Sequence, residues 1–371
     1  MPSATIAGVS NDHAFRDAFV ARLRQDWRSE QQGNFDIYRF PHGITGTSKW
    51  RWYARKFGGE RARSALRAAR IVAHSSDLQW VYDKFDDDAS RELMVAVLAF
   101  RALGSRHVRL PLNGPRYWDA AKAIQRDLRR VEASRRLACD VTLDDYDLAP
   151  AGIPVRLSGH LLNVVNTFSL QQYRLDRAGV VIEVEPGDTV IDAGGCWGDT
   201  ALYFALRAGP GGAVYSYEFE AENLTVFGHN VELNPDLSGR IHVVRHPIWS
   251  TPGLSLDVTG SGPNTRLTPA KDGKGSVTTD SIDALAAREN LRSVDFIKMD
   301  IEGAELDALK GAEATIRRHK PKLAISIYHR LEHFWEIARW IDGLGSGYRF
   351  RLEHFTIHAE ETMLFAVAPR D

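Results

Sequence analysis

Apolar residues recur along the chain in two rhythms. From about residue 12 to 140 they are spaced as in helices; over 90–103, Leu93, Val95, Val97, Leu98 and Leu103 precede Gly104 and predict a packed helix. The Arg-rich run over 51–70 predicts an amphipathic helix interrupted at Gly58-Gly59, its basic side turned to solvent or to an anionic partner. The acidic, turn-rich stretch 144–150 reads as the start of a passage to the second half. From about 180 onward the pattern becomes short unbroken apolar runs divided by helical segments. Strands are predicted at 189–193, 213–218, 240–244, 296–299, 322–327, 348–353 and 362–367. Continuous apolar strands alternating with helices predict an α/β fold on a mostly parallel buried sheet. Only 355–361 separates the last two strands, too little for a parallel crossover, so the final strand is predicted to be antiparallel. The Gly, Ser and Lys-rich stretch 259–276 predicts a long loop, either a lid or an insertion.

Composition changes little in this picture. The 371 residues suit two domains, here divided into a mainly helical 1–155 and a 156–371 part carrying the alternating pattern. Hydrophobic residues at 44% and charged residues at 26% exclude wholesale disorder and fibrous repeats. A net charge of -1 gives no global reason to expect a nucleic-acid partner. Two cysteines, Cys139 and Cys196, cannot build a disulfide framework and fit a reducing compartment. The first segment, with Asp12, Arg16 and Arg22, lacks a long apolar run, and no stretch reaches the ~20 apolar residues of a membrane span. A cytoplasmic protein is the expectation.

The strongest local signal is the run from Val190 to Ala201. An apolar strand ends in Asp192; Gly194, Gly195 and Gly198 follow, and a helix starts after Gly198. Glycines there let the chain turn sharply and let a ligand approach the main chain. The spacing is not G-x-G-x-x-G, which counts against a standard dinucleotide site. It resembles the D-x-G-x-x-x-G loop of S-adenosylmethionine enzymes, with Cys196 where many have a middle glycine. Trp197 either covers the cofactor's methionine end or plugs against the N-terminal region. Glu218 ends the next strand, where a carboxylate accepts from both hydroxyls of a ribose; Glu220 and Glu222 suit the first turn of the following helix.

A third signal is the alternation of Lys298, Asp300 and Glu302, read as an extended segment leaving the sheet with these side chains on one face. Glu305 is read as serving the start of a helix. The run from Asp295 to Glu305, then Leu309-Lys310-Gly311-Ala312 and the stretch from Lys320 to His329, resembles the FkbM family of S-adenosylmethionine-dependent methyltransferases. The glycine loop, Tyr217-Glu218 and Asn230 share the resemblance, which reaches back to Arg101-Ala102-Leu103-Gly104 and Leu110-Pro111-Leu112-Asn113 and so covers roughly 80–371. It implies a Rossmann-like class I methyltransferase fold: a seven-stranded, mostly parallel sheet with an antiparallel last strand, occupying 156–371. It also implies O-methylation of a hydroxyl on a sugar or polyketide-type metabolite.

Under this reading Asp192, Gly194, Gly195, Trp197, Gly198 and Glu218 bind S-adenosylmethionine, and Asp300, Glu302 and His329 are catalytic. His329 would be the base and Asp300 its orienter, with His354 a lesser candidate. Asp300, Glu302 and His329 also have donors suited to a divalent metal such as magnesium. Trp80, Tyr82, Trp118 and Tyr173 are candidates to line a small-molecule or glycan acceptor surface. The alternatives are a NAD-dependent oxidoreductase, which shares Glu218, and a catalytically inactive cofactor-binding scaffold.

Overall fold

The computed structural model describes residues 13–40, 59–137, 141–259, 266–270 and 275–369. Cys139 and residues 51–58 of the Arg-rich run lie outside the described residues. The N-terminal helices are α1 (Ala14–Trp27), α2 (Gly59–Ala73), α3 (Ser75–Lys84), α4 (Asp88–Leu103) and α5 (Pro115–Ala123). From Gly59 onward the Arg-rich run is helical, in α2. Buried residues surround α4 along most of its length, so it is a core helix, started by Asp87 accepting from the Ser90 N–H and ended at Gly104 with φ +82°.

A three-stranded antiparallel sheet follows: β1 (Arg129–Arg136), β2 (Thr142–Asp147) and β3 (Arg156–Gly159). The acidic stretch read as a passage between halves is therefore strand β2. Its carboxylates are neutralised across the ladder, Asp144 by Arg129 at 2.9 Å and Asp147 by Arg130 at 2.7 Å. The division drawn at 155/156 falls between two strands of this one sheet. After the short helix α6 (Leu161–Val164) come the hairpin β4 (Leu175–Arg177) and β5 (Val180–Ile182).

The alternating part begins with β6 (Thr189–Ala193), α7 (Asp199–Ala208), β7 (Ala213–Tyr217), α8 (Ala221–Glu232), α9 (Pro235–Ser238) and β8 (Ile241–Val244). Strands β9 (Ser255–Thr259), β10 (Arg266–Pro269) and β11 (Val277–Thr278) form a small antiparallel sheet where a long loop was expected; 260–265 and 271–274 lie outside the described residues. The rest is α10 (Ile282–Arg288), β12 (Phe296–Met299), α11 (Glu305–Lys310), α12 (Glu313–His319), β13 (Lys322–Ser326), α13 (His333–Gly343), β14 (Arg349–His354) and β15 (Thr362–Val367).

Seven of these strands make one sheet in the order β14-β15-β13-β12-β6-β7-β8. All its pairings are parallel except those of β15, which runs antiparallel to both β13 and β14. This is the arrangement that the apolar runs and the short last connection predicted. Strand alternation divides the core in two. Ile191, Ala193, Ile297, Met299, Leu323 and Ile325 pack on one face with Phe15, Phe19, Leu98 and Phe334, so the N-terminal helices and α13 share a core with the sheet. Val190, Val214, Phe296, Ala324 and Phe365 pack on the other with Leu202, Phe204, Tyr146 and Leu157. No described helix is long and apolar enough to cross a membrane.

Arg177 ties the N-terminal part to the sheet edge. Its guanidinium donates to both Asp87 oxygens (3.0 and 3.1 Å), Ser90 Oγ (2.7 Å), the Leu352 carbonyl (3.1 Å) and Glu353 (3.2 Å). Arg177→Ala leaves these acceptors without their donor, and urea unfolding should show a loss of about 2–4 kcal/mol.

Candidate active site

Because β6, β7, β12 and β13 are mutually parallel, their carboxyl ends open on one edge of the sheet, where α/β folds bind ligands. The glycine loop leaves β6 there. Gly194 has φ +87°, and a Cβ on it would overlap the Asp300 carbonyl oxygen; one on Gly195 would overlap Ser216 Oγ. Gly198, φ +83°, starts α7 against the Phe227 ring. Cys196 adopts φ +45°, so the residue standing in the middle-glycine position keeps the left-handed backbone. The N–H groups of Gly194 and Gly195 both donate to the Tyr217 carbonyl, at 3.2 and 2.8 Å, locking the loop to the tip of β7.

Asp192 lies behind this loop. It is fully buried; Oδ2 accepts from Thr200 (2.8 Å) and Ser216 (2.7 Å), and Oδ1 pairs with Lys298 Nζ at 3.0 Å. Asp192 and Lys298 are register partners on adjacent strands. Lys298 Nζ also donates to the Gly194 carbonyl at 2.6 Å and lies 5.4 Å from the Tyr173 ring. Burial presses the ammonium's pKa down, but the Asp192 and Asp300 charges outweigh it and hold the pKa above its usual value. Fully buried, with donors on both oxygens, Asp192 holds the loop from behind.

Trp197 is 5% exposed and packs with Leu137, Leu143 and Val226, the plug of its two expected roles. Its carbonyl accepts from Asn230, whose side chain also bonds both main-chain groups of Ser158, so α8 clasps the loop to β3. Glu218 sits one residue beyond β7. Oε1 accepts from the N–H groups of Phe219 (2.6 Å) and Glu220 (2.7 Å), while Oε2 has Asn223 at 3.2 Å and lone-pair capacity to spare. Burial raises its pKa to about 7 despite those donors.

The segment after β12 departs from the expected extended run. The strand ends at Met299, and the chain turns through Glu302 (φ +56°) and Gly303 (φ +101°). Lys298 therefore faces Asp192, while Asp300 and Glu302 converge on His329 beyond β13. His329 Nε2 lies 3.5 Å from Asp300 Oδ1 and 3.4 Å from Glu302 Oε2, too far for hydrogen bonds. The opposite ring nitrogen, Nδ1, meets Glu305 Oε1 at 2.8 Å, and His333 Nδ1 meets Glu305 Oε2 at 3.3 Å. These are ion pairs off the N–H axis. The partner that orients the imidazole is thus Glu305, where Asp300 was expected.

Glu305 is the residue that sequence reasoning missed. It does serve the turn before α11, Oε1 accepting from the Ile301 and Gly303 N–H groups, but it is completely buried between two histidines. His329 and His333, four apart across the start of α13, were the available signal. Burial opposes the charge on His329, yet Glu305, Asp300 and Glu302 raise its pKa to about 9. Glu302, although its side chain is 42% exposed, is raised to about 7 by partial desolvation in the cluster, assisted by Asp300 and Glu305 and opposed by His329. Burial would raise Glu305, but the two histidines bring it far below the usual carboxylate range.

Tyr328 donates to Asp300 at 3.1 Å, and Glu361 (φ +61°) faces the same carboxylate while holding Arg39 at 3.2 Å and Gln172 at 2.8 Å. The N-terminal segment therefore reaches the Asp300 side of the site through Arg39. Of the four candidate aromatics, Tyr173 is placed here; Trp80 lies between Lys84 and Arg339, Tyr82 against Phe15 and Trp118 against Tyr38. His354 is buried between Thr362 and the His358 carbonyl, both 2.9 Å away, and is structural.

Residues 185–352 match the family model of the methyltransferase FkbM domain. No curated protein is a significant sequence match. Among solved structures, a methyltransferase FkbM from Methylobacillus flagellatus KT superposes with a TM-score of 0.51 and 21% identity, over 81% of this chain and 61% of that one. This chain thus spans about three fifths of that protein's length. Fibrillarin from Aeropyrum pernix, solved with S-adenosyl-L-methionine bound, aligns at a TM-score of 0.37 and 14% identity over 63% and 93% of the two chains. An O-methyltransferase from Bacillus cereus, solved with SAH, aligns at 0.34 and 14% over 60% and 86%. Residues 185–352 thus match a methyltransferase FkbM domain, and the chain shares the fold of a solved FkbM methyltransferase.

Proposed function

We propose that the protein transfers the methyl group of S-adenosylmethionine to a hydroxyl oxygen of a sugar or polyketide-type acceptor. What carries the reading is one placement: the glycine loop and Glu218 open on the same strand-end edge as the carboxylates around His329. The donor set fits the cofactor, since Glu218 keeps acceptor capacity at the end of β7, where a ribose diol would bond. Gly194, Gly195 and Gly198 give the main chain its close approach. Bound S-adenosylmethionine would supply a methyl group on a sulfonium, leaving neutral S-adenosylhomocysteine.

The chain's own task is then positioning and proton removal. Holding the acceptor oxygen in line with the methyl carbon can supply up to ~7–11 kcal/mol of the barrier reduction. Asp300 and Glu302 would stand beside the acceptor: as the oxygen–carbon bond forms and the carbon–sulfur bond breaks, the hydroxyl proton would pass to a carboxylate oxygen. Tyr328 fixes Asp300, and Tyr173 with Gln172 walls that side.

A labelled methyl-donor assay against sugar and polyketide pools, with the product located by mass spectrometry and NMR, should find the methyl on oxygen. Methylation at nitrogen or carbon would refute the O-transfer reading. Asp300→Asn should abolish turnover with S-adenosylhomocysteine still bound.

Two variants separate ligand contact from packing. Glu218→Ala should raise the S-adenosylhomocysteine Kd at least tenfold in equilibrium dialysis, as expected from losing two hydroxyl partners worth about 1–3 kcal/mol. Trp197→Ala should instead cost about 3–5 kcal/mol of unfolding free energy with less than a threefold change in Kd. Because burial raises Glu218 to about 7 and the diol needs its ionised form, affinity should be full well above pH 7 and weaken as the pH falls through it.

A further inference from the structure

The cluster behind Asp300 has more polar atoms than its hydrogen bonds use. Among the described residues, ten buried side-chain nitrogen or oxygen atoms have no hydrogen-bond partner, and five of them are here: Glu305 Oε2, both ring nitrogens of His329 and both of His333. The two Nδ1 atoms face Glu305 oxygens in ion pairs at 2.8 and 3.3 Å; the others are buried polar groups without a hydrogen bond, which call for an ion or an ordered water. The His329 side chain is 9% exposed and that of Glu305 0%. Asp300, Glu305 and His329 each offer one donor atom, and the three atoms lie within 4.8 Å of one another.

We propose that Asp300, Glu305 and His329 bind a divalent transition-series cation such as Mn²⁺ or Zn²⁺. The donor set decides the class. Magnesium and calcium favour oxygen ligands, whereas an imidazole nitrogen beside two carboxylates suits manganese, iron or zinc. The set differs from the Asp300, Glu302 and His329 group expected from the sequence. Glu302, with a side chain 42% exposed, stands at the open side and is not needed to complete the compact trio.

Two further features suit a bound cation. Glu305 Oε1 is held by the Ile301 and Gly303 N–H groups, while Oε2 accepts no hydrogen bond. His333, fully buried with Nδ1 3.3 Å from that oxygen, pairs with the carboxylate, the kind of support that orients ligands in metal sites. Asp300 connects the trio to the acceptor side through Tyr328. The cation's use, withdrawing charge from the acceptor hydroxyl so that its proton leaves more readily, rests on the methyl-transfer reading; the binding does not.

The test is metal binding by the full chain. After chelation and desalting, Mn²⁺, Zn²⁺ and Mg²⁺ are titrated by calorimetry, with Mn²⁺ followed by electron paramagnetic resonance, and S-adenosylhomocysteine is titrated into each variant as a measure of folding. One cation per chain is expected, weakened at least tenfold by Glu305→Gln, His329→Gln and Asp300→Asn, and less than threefold by Glu302→Gln. Absence of Mn²⁺ and Zn²⁺ binding, or binding of Mg²⁺ alone, overturns the proposal. So does binding that survives Glu305→Gln but is lost in Glu302→Gln. If S-adenosylhomocysteine binds while neither transition cation does, only the cation site falls; if cations bind and no methyl is transferred, only the methyl-transfer reading falls.

Discussion

A buried ion pair at the centre of the sheet sets the geometry of everything above it. Lys298 and Asp192 are 1% and 0% exposed in their side chains, 3.0 Å apart on neighbouring strands. Two charges so placed must be paired and hydrogen-bonded to be tolerated, and here they are: Thr200 and Ser216 complete Asp192, and the Gly194 carbonyl completes Lys298. The partners come from α7, β7 and the glycine loop. Removing either charge would strand the other, so four elements are held in one arrangement at the strand ends.

Two chemistries grow from that arrangement. On the β6 and β7 side the loop is pinned by its own N–H groups to the Tyr217 carbonyl, and by Asn230 to β3, so its glycines are required by protein contacts before any ligand arrives. Beyond β12 the turn at Glu302 and Gly303 swings Asp300 and Glu302 toward His329. The N-terminal part has a share in both: Leu137 and Leu143 cover Trp197, and Arg39 holds Glu361 beside Asp300. Its helices are packed into the same core as the sheet, which gives the Asp300 side a wall fixed relative to the strands.

The sheet was legible because its strands are buried on both faces and so appear as unbroken apolar runs, and because a connection over 355–361 permits only an antiparallel return. Strand β2 was illegible because Asp144, Asp145 and Asp147 look like a turn until Arg129 and Arg130 are placed opposite them. The strands β9 and β10 were hidden by Gly and Ser-rich flanks. The placement of Glu218, Asp300, Glu302 and His329 just beyond strand ends was readable. Glu305 was not, because its position at a helix start offers a sufficient local reason for an acid; only the fold brings His329 and His333 around it. Asp192 and Trp197 were recognisable as parts of the loop, but whether they face a ligand or the protein depends on contacts from residues as distant as Lys298 and Leu143.

The central claim is that the strand-end edge is built for a methyl donor and not for a dinucleotide. Isothermal titration of the full chain against S-adenosylhomocysteine and NAD, under one set of conditions, addresses it most directly. Saturable binding of S-adenosylhomocysteine with no heat from NAD is the predicted result. Tight binding of NAD with none of S-adenosylhomocysteine would contradict the account.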